Sequence, residues 1–282
     1  MKNINIKFKL LFSLFTLIFL LFSCQEVVQV DLETGKPKLV IEAFINWQKG
    51  TTGAQQKIKL TTTSSYYSND KPIASGASVV ITSGSTTYTF IENVGTGEYI
   101  CNNFIPTLNQ TYTLTINYNG ANYSATETLK PVTPIVAVIQ ENNGGLSGTD
   151  IRLRTTFVDP GNEENYYLIN YNYSNRPKPD YYVIDDLFFN GNPYFSITFG
   201  GGNEEKLKTG DVVKVTHYGI SKQYNNFMEL LLANSGNAGG AGPFSTAPAT
   251  VRGNIKNNTN EADFPFGYFS LSEADTRTYT IL

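Results

Sequence analysis

The stretch Thr111-Tyr112-Thr113-Leu114-Thr115-Ile116-Asn117-Tyr118, followed by Asn119-Gly120 and then Ala121–Leu129, decides the fold class. Tyr112, Leu114, Ile116 and Tyr118 alternate with Thr111, Thr113, Thr115 and Asn117, so one face is apolar and the other polar, the period of a half-buried β-strand. Asn119-Gly120 is a two-residue link of the type that needs positive φ, and it predicts a tight hairpin into Ala121–Leu129.

Five more strand-like runs precede the hairpin: Leu39–Ile45, Lys57–Thr62, Ser78–Ser83, Thr87–Glu92 and Glu98–Asn102. Seven short strands between residues 38 and 130 are the count of an immunoglobulin-like β-sandwich. Pro131 and Pro134 mark a boundary. Beyond it, over 131–282, runs at Ile135–Gln140, Ile151–Phe157, Tyr166–Tyr173, Tyr181–Phe189, Tyr194–Phe199 and Val212–Tyr218 predict a second β-sandwich-like domain. Asp159-Pro160-Gly161-Asn162 and Asn190-Gly191-Asn192-Pro193 are its turns. One short helix is expected near 221–234: Ser221 is its N-cap, and Tyr224, Phe227, Met228 and Leu231 form one apolar stripe to be packed on the sheet. Gly236–Pro248 reads as a surface loop pinned by Phe244. Thr250–Ile255, Gly267–Leu271 and Thr278–Leu282 are taken as closing strands.

The N-terminus sets the compartment. Lys2, Lys7 and Lys9 precede an apolar run from Leu10 to Phe22, too short for a permanent span of about 20 residues, so residues 1–23 read as a signal peptide. Leu21-Phe22-Ser23-Cys24 has the apolar and small residues of a bacterial lipobox, which makes Cys24 the lipidation site. Two or three acyl chains there would anchor the chain stably. Residues 24–37 form a tether carrying Glu26, Asp31 and Glu33.

Removing the three signal lysines from the 21 Lys+Arg leaves 18 against 24 Asp+Glu, a net charge of −6. That sign is opposite to the basic stripe of a nucleic-acid binder. With Cys24 acylated only Cys101 remains, which excludes an internal disulfide and a CxxC metal or redox site; Cys101 itself reads as a small buried hydrophobe. His217 is the sole histidine, no Gly-x-Ser-x-Gly elbow accompanies it, and a Ser-His-Asp device is not expected. Asp185-Asp186 and Glu163-Glu164 are adjacent acids, but neighbours on one strand point to opposite faces and form no acid/base couple. Asp159, Asn162, Glu163 and Glu164 lack the spacing of a calcium loop. No catalytic, metal or cofactor residues are assigned.

The aromatic density after Asn165 is the one recognition signal. Tyr167, Tyr171 and Tyr173 share a strand face, and Tyr181 and Tyr182 open the next strand, forming a candidate recognition surface for a sugar, peptide or protein. The same tyrosines also suit cross-strand pairs in a sheet core.

With these landmarks placed, the chain resembles the Bacteroidota lipoprotein family known as domain of unknown function 4249. The resemblance rests on the lipid cysteine followed by Leu39-Val40-Ile41-Glu42; Gly76-Ala77-Ser78-Val79 leading to Gly97-Glu98-Tyr99; Asp159-Pro160 with Asn165-Tyr166-Tyr167; and Asp185-Asp186 with Phe189-Asn190-Gly191. Further along it rests on Gly210-Asp211-Val212-Val213; Ile220-Ser221 with Tyr224; Pro243-Phe244; and Gly253-Asn254-Ile255 with Gly267-Tyr268-Phe269. It implies an outer-membrane lipoprotein, at the cell surface or on the periplasmic face, often encoded beside a TonB-dependent transporter. It supplies no catalytic residues. The expected function is that of a non-enzymatic accessory or ligand-capture partner of such a nutrient transporter; the alternative is a cell-surface structural or adhesive module.

Overall fold

The computed structural model describes residues 35–65, 68, 70–145, 148–198, 206–235 and 250–282. Cys24, the tether up to residue 34 and the Phe244 loop lie outside them. Residues 36–64 and 68–282 belong to one compact unit. Among the described residues no helix is long and apolar enough to cross a membrane.

The described residues are mainly β, with large sandwich-like sheets and one short helix. Strands run β1 (Leu39–Gln48), β2 (Gln56–Thr62), β3 (Ser78–Ser83), β4 (Thr86–Asn93), β5 (Glu98–Cys101), β6 (Thr111–Tyr118) and β7 (Ala121–Thr128). All seven expected runs of the first half are present. Asn119 at φ 48 and Gly120 at φ 77 make the hairpin turn between β6 and β7. β4 passes from one layer to the other: Thr86–Phe90 pair with β3, and Ile91–Asn93 with β5. The sandwich core between the layers holds Ile41, Ile58, Leu60, Ile81, Phe104 and Leu114. Cys101 is buried and free, with its thiol 3.1 Å from Asn103 Oδ1.

The second half adds β8 (Ala137–Gly144), β9 (Asp150–Val158), β10 (Tyr166–Tyr173), β11 (Asp180–Asp185), β12 (Pro193–Thr198), β13 (Val212–Ile220), helix α1 (Lys222–Asn234), β14 (Lys256–Asn257) and β15 (Phe266–Thr280). The predicted Gly267–Leu271 and Thr278–Leu282 are one strand of 15 residues, which pairs in parallel with β1 and antiparallel with β13. One twelve-stranded ladder therefore runs β11-β10-β13-β15-β1-β2-β5-β4-β3-β6-β7-β14, while β12-β9-β8 form a separate three-stranded sheet. Phe269 and Leu271 of β15 complete the core of the first half.

Two sequence expectations fail locally. Thr250–Ile255 is not a strand. Instead the Asn254 side chain pairs with a strand backbone: its amide donates to Phe269 O (2.8 Å) and its Oδ1 accepts from Phe269 N (2.9 Å). The run Tyr181–Phe189 ends as a strand at Asp185 and continues as a turn, in which Asp186 O accepts from Phe189 N and Asn190 N.

The link between halves is held by acids. Pro131 and Pro134 have no N–H to give. Two of the other donors pair with β15: Val132 N with Glu273 Oε2 (2.9 Å) and Ile135 N with Asp275 Oδ2 (2.7 Å). Both acids are buried, and Lys49 Nζ lies 2.8 Å from Glu273.

Candidate functional site

The expected tyrosine surface divides across the sheet. Side chains on β10 alternate, so Tyr167, Tyr171 and Tyr173 all point toward β9 and β12 and are buried there with Leu153, Phe157 and Val215. Their hydroxyls are satisfied inside. Tyr167 donates to Asp159 Oδ1 (2.5 Å), Tyr171 to Thr155 Oγ1 (3.0 Å) and Tyr173 to Asp180 Oδ2 (2.9 Å). Burial first, then the Asp159 carboxylate, pushes the Tyr167 hydroxyl well above the usual phenol range. Tyr182 is half-buried on the same side, edge-on to Tyr171 at 5.7 Å. These four are core aromatics, and the recognition surface read from the sequence is corrected to Tyr181 alone, 39% exposed on the opposite face. The reason is the three-stranded sheet, which covers one face of β10 and β11, while the opposite face is covered in part by the helix α1.

The acids are placed structurally. Asp159 is buried, accepts from Tyr167 and from Gly191 N (2.9 Å), and so ties together the two turns predicted around Pro160 and Gly191. Asp186 is buried and accepts from Asn165 N (2.8 Å), while Asp185 is exposed. Glu163 and Glu164 are exposed. Among the described residues no three His, Cys, Asp or Glu side chains gather as a metal site.

His217 is fully buried on β13, 4.2 Å from the Phe157 ring and 4.8 Å from the Tyr167 ring. Its Nδ1 lies 3.1 Å from Thr133 O. Burial pushes its pKa down to about 3, so the ring stays neutral in the fold. The unfolded chain takes up this proton near pH 6.5, so stability falls as pH drops through that value. Between pH 6.5 and 5 the loss is about 1.5–2 kcal/mol. His217→Leu should lack it in urea titrations at the two pH values. With no second histidine in the chain, the difference isolates this ring, whereas Glu127, raised by burial, acts in the opposite sense in both proteins.

The helix-covered face of the sheet carries the candidate site. Tyr224, Met228, Leu231 and Leu232 of α1, at i, i+4, i+7 and i+8, look down on β1, β15, β13 and β10. Ser221 caps the helix by accepting from Tyr224 N (3.1 Å) and donates to the buried Glu127 Oε2 (2.8 Å), which fixes where the helix starts. Its first turns pack closely, with Tyr224 and Phe227 both under 5 Å from the Tyr268 ring. Farther along, Leu231 is 40% exposed, and beneath it a cavity of about 450 Å³ opens. Its walls are mostly apolar: Phe44, Leu168, Pro179, Tyr181, Tyr218 and the helix stripe. Polar groups come from Asn46, Ser270, Ser272 and Lys178. A volume of this size suits a small-molecule site, for which roughly 300–1,000 Å³ is usual. Sequence reasoning found the helix stripe and Tyr181 but missed Asn46, Lys178, Ser270 and Ser272, which come from three segments with no common motif. The one available signal was the polarity of Ser270 between the apolar Phe269 and Leu271.

Among solved structures the chain is similar to a two-domain fibronectin type-III segment of chicken tenascin, with 12% identity over 67% of this chain and 89% of that one and a TM-score of 0.22. It is also similar to a chain of a cytokine receptor complex, with 11% identity over 65% and 83% and a TM-score of 0.24. The FN1–FN3 domains of chicken CNTN1 match with 12% identity over 67% and 63% and a TM-score of 0.25. No curated protein matches the chain. The family profile described as Domain of unknown function (DUF4249) matches residues 25–278, and the chain belongs to that family.

Proposed function

We propose that this protein is a non-enzymatic, lipid-anchored module of the outer membrane that captures a nutrient and works beside a TonB-dependent transporter. The observation that carries this reading is the apolar cavity under α1. It is a preformed concave site with a few hydrogen-bonding groups, the usual form of a binding pocket. The sealed, neutral His217 and the structural use of Asp159 and Asp186 favour binding over hydrolysis. Leu187 and Phe188, 72% and 92% exposed at the turn after β11, offer an apolar contact of the kind that marks protein interfaces. The Cys24 anchor would keep protein and transporter at high effective concentration, so a modest interface would remain occupied.

The test is co-purification from gently solubilised outer membranes through a C-terminal tag, which the exposed Leu282 accommodates. Recovery of a TonB-dependent transporter with the wild type, and its loss with Cys24→Ala, is the expected result. Repeated recovery of the anchored protein alone would end the accessory reading and leave the adhesive module in its place.

A further inference from the structure

We infer that the cavity under α1 binds a small amphipathic carboxylate, its apolar body against Met228 and Leu231 and its anionic group at Lys178. The inference rests on the capture reading above and deepens it by naming the ligand class of the same cavity.

Three observations point to this chemistry. The first is shape. The helix is held down at its N-terminal end by Tyr224 and Phe227 on Tyr268, and Leu231 stands off the sheet over a cavity of about 450 Å³. An apolar space of that size is a poor place for water and a good one for an aliphatic or alicyclic body.

The second is charge. Lys178 is the one charged side chain among the described residues that line the cavity. Its nearest acid along the chain, Asp180, is already engaged by the Arg176 guanidinium and the Tyr173 hydroxyl. Lys178 has no ion-pair partner among the described residues. It is an exposed residue between Pro177 and Pro179, whose fixed φ limits the local backbone beside the cavity. An unpaired cation beside an apolar cavity selects a ligand with an anionic head.

The third is the floor. Asn46 and Ser272 are register partners on the parallel pair β1 and β15. The backbone of Asn46 is used by Gln56, while its side-chain amide has no partner among the described residues. It can pair with a hydroxyl or carbonyl on the ligand body.

The experiment uses a chain beginning at Gln25, which carries the whole compact unit and the full family match. Anilinonaphthalene sulfonate, an aromatic amphipathic anion, is titrated by fluorescence and then displaced by decanoate or by decanol. The expected result is saturable one-to-one binding, with decanoate displacing about three- to fivefold better than decanol, the size of an exposed ion pair. Lys178→Gln should erase that preference and leave decanol unchanged. Leu231→Trp, at a part-exposed position, should obstruct the cavity and weaken binding of all three at least tenfold without moving the thermal transition.

Absence of saturable binding, equal displacement by acid and alcohol, or undiminished binding in Leu231→Trp overturns the inference. Its failure is separable from that of the capture reading. If no anion binds but the transporter still co-purifies, the ligand assignment falls and the accessory role stands. If anions bind while the anchored protein is recovered alone, the accessory role falls and the ligand assignment stands.

Discussion

Gly267→Ala is expected to lower stability by about 4 kcal/mol or more, or to prevent folding, because two independent penalties meet at that position. Gly267 has φ +96, a region L side chains rarely adopt, and a Cβ built there would lie 2.0 Å from Ile41 O. Gly267 and Ile41 are direct partners in the parallel β1–β15 pairing. On its other side Gly253 approaches so closely that its own Cβ would meet Gly267 O at 1.7 Å. Three backbones are stacked here with no room for a methyl group, and relief would require shifting the strand that joins the two halves. Gly120→Ala is the control. Its φ is +77 and nothing lies within 4 Å of the added Cβ, so only the backbone penalty of about 1–2 kcal/mol remains. Urea denaturation of both variants separates steric exclusion from backbone strain; equal losses would show that the close approach does not matter.

Asp275→Ala should cost about 3 kcal/mol, because it leaves the buried Ile135 N–H without an acceptor and the Arg277 guanidinium without its carboxylate. The distances are 2.7 Å and 3.3 Å. Asp275→Asn keeps an acceptor for Ile135 and should lose roughly half as much. Glu273→Ala removes the acceptor of Val132 N on the same connector. The double variant should therefore lose less than the sum of the two, since a connector already released at one end has less to lose at the other. Strict additivity in a urea double-mutant cycle would show that the two contacts act separately.

These two predictions also show where sequence reading stopped. Glu273, Asp275 and Arg277 fall between the strands expected at Gly267–Leu271 and Thr278–Leu282 and interrupt the apolar pattern there. They belong instead to the middle of one strand, where Glu273 and Asp275 accept from Val132 N and Ile135 N of the connector that crosses β15. Nothing near residue 275 announces a demand created 140 residues earlier. Thr250–Ile255 departs from the expected strand for a related reason. Its β-like residues are real, but Asn254 supplies through its side chain the pairing that a strand would supply through its backbone.

The tyrosines make the same point at the candidate site. Alternation on β10 correctly grouped Tyr167, Tyr171 and Tyr173 on one face, yet alternation is silent on which face is covered. That was settled by β12-β9-β8, a separate sheet contributed by other segments. The cavity was less legible still, since Asn46, Lys178, Ser272 and Leu231 are brought together only by strand order and helix placement.

By itself the sequence determined what depends on a few neighbouring residues: the strand periodicities, the positive-φ turn at Asn119-Gly120, the Ser221 cap and the apolar stripe of α1. Tertiary structure decided the parallel insertion of β15 beside β1, the burial of its acids, the covered face of β10 and the cavity under the helix. The physical reason is range. Propensity and turn chemistry act over one or two turns of chain, whereas burial and hydrogen-bond demand are set by partners such as Val40 and Phe266, far apart in sequence and adjacent only in the fold.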